Sequence, residues 1–121
     1  MNKIQWKRVY EPVSEDDGFR ILIDRLWPRG EKKETAKIDY WAKEITPTKE
    51  LRESYHKSVI DYRTFSEKYE KELEENTEFK VFIQLIGKEL KKGNVTMVSA
   101  VKEPETSHIP VLRKFMEKSL Q

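Results

Sequence analysis

Arginine, tryptophan and aspartate crowd into one short stretch of this 121-residue chain, Asp24-Arg25-Leu26-Trp27-Pro28-Arg29-Gly30. A guanidinium presents a rigid fork of N–H donors that matches carboxylate and phosphate oxygens, which a lysine ammonium does not. Four of the seven arginines (Arg8, Arg20, Arg25, Arg29) lie within the first 29 residues, while lysine dominates elsewhere. Arg25 and Arg29 are therefore candidates to cradle an anion, with Trp27 as a flat wall for a ring or sugar. The competing structural reading pairs Arg25 with Asp24 or Asp39 and makes Trp27 a core anchor.

Two other places could carry chemistry. Arg52 precedes His56 by one helical turn, with Tyr55 beside it. A neighbouring guanidinium favours neutral imidazole, the form a general base needs. A helix-end histidine meeting the macrodipole explains the same spacing. Ser99-Ala100-Val101-Lys102-Glu103-Pro104-Glu105-Thr106-Ser107-His108 leads from a strand into the last helix. Ser107 reads as the N-cap there, and free N–H groups at such an end hold oxyanions. His108 is a second acid–base candidate, although a first-turn histidine is commonly a surface residue. Ser99 lacks the Gly-x-Ser-x-Gly elbow of a nucleophile.

Several classes of chemistry drop out. The chain has no cysteine, which removes disulfides, thiolate-bound metals and thiolate nucleophiles. Two histidines 52 residues apart make no metal-ligand spacing. Four glycines without a G-x-G leave no phosphate-cradling loop, so the sequence implies no cofactor.

The elements that must position these residues follow from periodicity. Ile4 to Val9 alternates as a first strand, and Glu11 to Gly18 is a turn. Phe19-Arg20-Ile21-Leu22-Ile23-Asp24 is a second strand, ended by Pro28. Ile38, Trp41, Ala42 and Ile45 share the spacing of a helix face. A further helix starts around Thr46-Pro47-Thr48, with proline in its first turn. Asp61 caps a helix carrying Tyr62, Phe65, Tyr69 and Leu73, and Phe79 to Leu90 forms another that stops at Gly93. Val95 to Val101 is the third strand, and Pro110 opens the last helix.

This order predicts a small single-domain α/β fold over residues 1–121, with a short, mostly parallel sheet of about three strands covered by several helices. In such sheets ligands gather beyond the carboxyl ends of the strands, where the loops at Asp24 and Ser107 would both open.

Charge and hydropathy bound the partners. Net charge is +2, and residues 1–60 hold 13 basic and 11 acidic side chains against 11 of each in 61–121. That even spread disfavours a nucleic-acid face. The longest apolar run is three residues, far short of the ~20 that span a bilayer, so the expectation is a cytoplasmic protein without a membrane partner.

Arg8-Val9-Tyr10, Ser14-Glu15-Asp16-Asp17-Gly18, the Asp24–Gly30 string and Leu51-Arg52-x-x-Tyr55-His56 together resemble the YeaO-like group of the bacterial domain-of-unknown-function 488 family. The resemblance runs from Lys7 to about Phe115. It implies a small α/β domain and motif positions at Asp24, Arg25, Trp27, Arg29, Arg52, His56 and His108, without implying a reaction. The last loop departs from the family pattern, which has an aromatic or cysteine where Ser99 stands, an aspartate where Glu103 stands, and an asparagine or cysteine where Ser107 stands. A chain without cysteine cannot follow the cysteine-bearing members into thiolate chemistry.

Two functions follow as expectations. One is a site for an anionic small molecule, held by Arg25, Arg29, Arg52 and Ser107. Asp24 and Trp27 would shape it, and His56 or His108 would move a proton if the ligand is converted. The other is an interaction or regulatory module whose Arg/Trp surface meets a protein partner or a second copy of the chain, without catalysis.

Overall fold

Alternation in Ile4-Gln5-Trp6-Lys7-Arg8 produces β1 (Ile4–Arg8), and the apolar run after Gly18 produces β2 (Phe19–Leu22). The computed structural model describes residues 2–120. Beyond β2 come α1 (Lys33–Ala36), β3 (Tyr40–Trp41), α2 (Lys49–His56), α3 (Tyr62–Glu75), α4 (Thr77–Leu90), β4 (Val95–Ser99) and α5 (Ile109–Ser119). Single 3-10 turns at Glu15–Asp17, Lys43–Ile45 and Pro104–Thr106 punctuate the connections. All four strands are parallel, in the order β1-β4-β2-β3, so the α/β expectation holds with four strands in place of about three. Among the described residues no helix is long and apolar enough to cross a membrane.

The register aligns Trp6 with Met97 and Met97 with Ile21, putting all three on one face of the sheet. Helices α3, α4 and α5 bury Phe65, Tyr69, Phe82, Ile86, Leu112 and Met116 in the same cluster as Ile21 and Met97. The opposite face is polar at its centre. Lys7 and Arg20 both clasp Asp17, at 3.0 and 2.6 Å, and the remaining Arg20 donors reach the carbonyls of Ala36 and Lys37. Burial raises the Asp17 carboxyl, but hydrogen bonds from the Ser14 N–H, Lys7 and Arg20 outweigh it and hold the group below the usual carboxylate value. One of the four clustered arginines is therefore a structural residue.

Four details differ from the sequence reading. Tyr40 and Trp41 form a strand, not part of a helix through Ile38–Ile45. The Asp39 N–H donates to the Arg20 carbonyl at 2.8 Å and the Ala42 N–H to Leu22 at 2.9 Å, so pairing with β2 overrides the helical spacing. Pro47 precedes α2 instead of sitting in its first turn, because Thr48 caps that helix by accepting from the Leu51 N–H. Gly93 is not a left-handed stop; α4 ends when the Lys92 and Gly93 N–H groups both turn back to the Glu89 carbonyl. Strand ends also shorten: Val9, Ile23, Asp24, Ala100 and Val101 belong to the loops beyond the sheet.

Candidate functional site

Four parallel strands place all their carboxyl ends on one edge of the sheet, and the connecting loops enclose a cleft of about 770 Å³ there. The anion-binding, acid–base and wall candidates all line it: Asp24, Arg25, Trp27 and Arg29 after β2, Arg52 and His56 on α2, and Ser107 and His108 before α5. Segments far apart in the chain thus converge as the parallel topology demands.

Asp24 ties the floor together. Its Oδ1 accepts from the Ser99 hydroxyl and its Oδ2 from the Ala100 N–H, both at 2.7 Å. Its backbone carbonyl accepts from the Trp41 indole N–H at 2.7 Å. The carboxylate therefore joins the exits of β2 and β4, and it has no ion pair with Arg25. Ser99 is buried, donates its hydroxyl hydrogen bond to Asp24 and accepts from the Val101 N–H, which makes it part of the loop scaffold.

His108 is buried, and its Nε2–H donates to the Ile23 carbonyl at 2.6 Å. In the neutral ring that leaves Nδ1 as the acceptor. Desolvation pushes its pKa below the ordinary 6.5, although Asp24, 3.8 Å away, and the Ile23 carbonyl pull the other way. His108 itself is the residue before α5, so Ser107 sits one position earlier than expected. Ser107 still caps from there, its hydroxyl accepting from the Ile109 N–H at 3.1 Å. His56 is the last residue of α2 and is exposed.

The three cleft arginines are almost unpartnered. Among the described residues the Arg25 side chain reaches only the Pro47 carbonyl, at 3.4 Å. Asp39, its other expected partner, accepts instead from the Arg20 backbone N–H at 2.8 Å. Among the described residues the Arg29 and Arg52 side chains make no hydrogen bond, and Arg52 Nε is shut off from water as well. Trp27 is half-buried, edge-on to Trp41 at 5.4 Å, with its indole N–H donating to the Glu31 carbonyl. It is an anchor and a wall together.

Two phenols were missed. Tyr55 and Tyr62 donate at 2.8 Å to the carbonyls of Thr106 and Ser107, clamping the loop before α5 onto α2 and α3. The available signal was tyrosine in place of phenylalanine on a core-facing helix stripe, since a buried phenol needs an acceptor. Tyr10, from the Arg8-Val9-Tyr10 motif, and Lys102 also line the cleft, although neither was a site candidate. Among the described residues no group of three His, Cys, Asp or Glu is placed to hold a metal ion.

The profile of the family described as "Inactive DUF488-N3 subclade" matches residues 3–121. The chain is 44% identical over 117 residues to Uncharacterized protein YeaO of Escherichia coli (strain K12), covering 93% of this chain and 96% of that one. It is 34% identical over 114 residues to Uncharacterized protein Rv3073c of Mycobacterium tuberculosis (strain ATCC 25618 / H37Rv), covering 94% and 93%. No solved structure matches.

Proposed function

Since the chain belongs to the inactive DUF488-N3 subclade, among YeaO-like proteins, we propose that its cleft binds a small molecule bearing phosphate or carboxylate groups and holds it without converting it. The observation that carries this reading is the contrast between arginines. Arg20 spends its donors on Asp17, Ala36 and Lys37, whereas Arg25, Arg29 and Arg52 share one long bond to Pro47. The cleft lining holds four cationic side chains (these three and Lys102) against two carboxylates, of which Asp24 is already occupied by Ser99 and Ala100. Like charges gathered without partners are unfavourable in the empty protein, and an anion relieves them.

Two features favour binding over conversion. The subclade is described as inactive. His108, the buried acid–base candidate, commits its Nε2–H to a backbone carbonyl. His56 then serves as an exposed donor at the rim.

Ligand stabilises the folded state by mass action, about 2.7 kcal/mol at a hundredfold excess over Kd. A thermal-shift panel of phosphate, nucleotides and dicarboxylates in chloride buffer should raise the wild-type midpoint for at least one anion and raise it less for Arg29→Ala. A wild type that responds to none of them refutes the proposal.

A further inference from the structure

A bare inorganic anion leaves most of this cleft unexplained. Its volume of about 770 Å³ falls in the range of sites for small organic molecules, roughly 300–1,000 Å³. Five large apolar side chains are exposed in the described structure, and two of them, Tyr10 at 49% and Leu26 at 62%, line this one cleft. Leu26 stands between Arg25 and Trp27 in the chain, so apolar surface and guanidinium donors are interleaved.

These surfaces are held in place. Trp27 has its indole N–H satisfied by Glu31, so the half-buried ring has only apolar contact left to give. Tyr10 has the Arg8 guanidinium 5.2 Å from its ring centre, and its hydroxyl donates to the Arg29 carbonyl at 3.4 Å. It links the loop after β1 to the arginine-bearing loop after β2. Three guanidiniums suit a head with several acceptor oxygens and close to two charges, which a phosphate monoester has near neutral pH and a single carboxylate lacks.

Resting on the anion-site reading above, we infer that the ligand is an organic phosphate monoester with a flat ring. The phosphate lies among Arg25, Arg29 and Arg52, and the ring covers Tyr10, Leu26 and Trp27.

Calorimetric titration at pH 8 in chloride buffer tests this with inorganic phosphate and phenyl phosphate as probes. In the wild type phenyl phosphate should bind about tenfold more tightly, the size expected of one aromatic contact with its buried area. In Leu26→Ser that preference should fall severalfold while inorganic phosphate binds as before. The Leu26 side chain is 62% exposed, so the fold does not depend on it. Equal binding of the two probes by the wild type overturns the ring assignment and leaves the anion site standing. A preference undiminished in Leu26→Ser overturns it too; binding of neither probe overturns the phosphate ligand, and the anion site then stands only if a dicarboxylate raises the thermal midpoint.

Discussion

Replacing Arg52 by methionine should stabilise the empty protein while abolishing its response to phosphate. Arg52 is half-buried, its side chain makes no hydrogen bond among the described residues, and its Nε is buried without an acceptor. An unsatisfied buried donor costs about 1–3 kcal/mol. Methionine keeps most of the apolar stem, removes that donor and relieves the repulsion from Arg25 and Arg29. Against this stands some lost packing of the guanidinium plane, so a net gain of about 1 kcal/mol is expected. At a urea m-value of roughly 2 kcal/mol/M this moves the unfolding midpoint up by about 0.5 M. Arg20→Met is the control of opposite sign. It leaves the buried Asp17 carboxylate with Lys7 and the Ser14 N–H and strips the Arg20 donors from the Ala36 and Lys37 carbonyls. Breaking such a pair costs about 3–5 kcal/mol, and the midpoint should drop by about 2 M. Urea denaturation in phosphate-free buffer, followed by tryptophan fluorescence, measures both. If Arg52→Met loses stability as Arg20→Met does, Arg52 is a structural residue and the contrast between the two kinds of arginine is refuted.

Other consequences are independent of the ligand. Asp24→Ala strands the Ser99 hydroxyl and the Ala100 N–H, and should cost about 2–4 kcal/mol by calorimetry; a loss below 1 kcal/mol would show that Asp24 does not tie the two strand exits together. Gly18→Ala should cost about 3 kcal/mol or prevent folding, since φ is +63° and the added Cβ would sit 2.0 Å from the Asn94 carbonyl oxygen; a neutral result would contradict the close approach of these backbones. His108 has a folded-state pKa below 6.5, so the unfolded chain binds more protons between that value and 6.5. Stability should hold above pH 6.5, decline as pH falls through that window and then level off. His108→Gln should flatten this component between pH 5 and 7 in urea titrations, and an unchanged profile would show that His108 does not titrate with folding.

How far the sequence carries differs from residue to residue. The helices α3 and α4 were legible because their apolar spacing and the Asp61 cap are local properties. The position of the cleft was legible too: once the strands are parallel, the loops at Asp24 and Ser107 must open on one edge. The strand at Tyr40–Trp41 was hidden because its hydrogen bonds come from Arg20 and Leu22, and no local period encodes a distant partner. The split among the arginines was hidden for the same reason. Arg20 and Arg25 look alike in sequence, and only the fold brings Asp17 to one and leaves the other beside Pro47. The phenols of Tyr55 and Tyr62 pass as ordinary helix-face aromatics until the loop they clamp is in view.

A crystal structure grown from phosphate or sulfate at neutral pH tests the central claim most directly. The expected result is a tetrahedral anion in the cleft, contacted by at least two of Arg25, Arg29 and Arg52, with Asp24 still holding Ser99 and Ala100. Guanidiniums turned onto Asp24 or Glu103, with no anion between them, would contradict it.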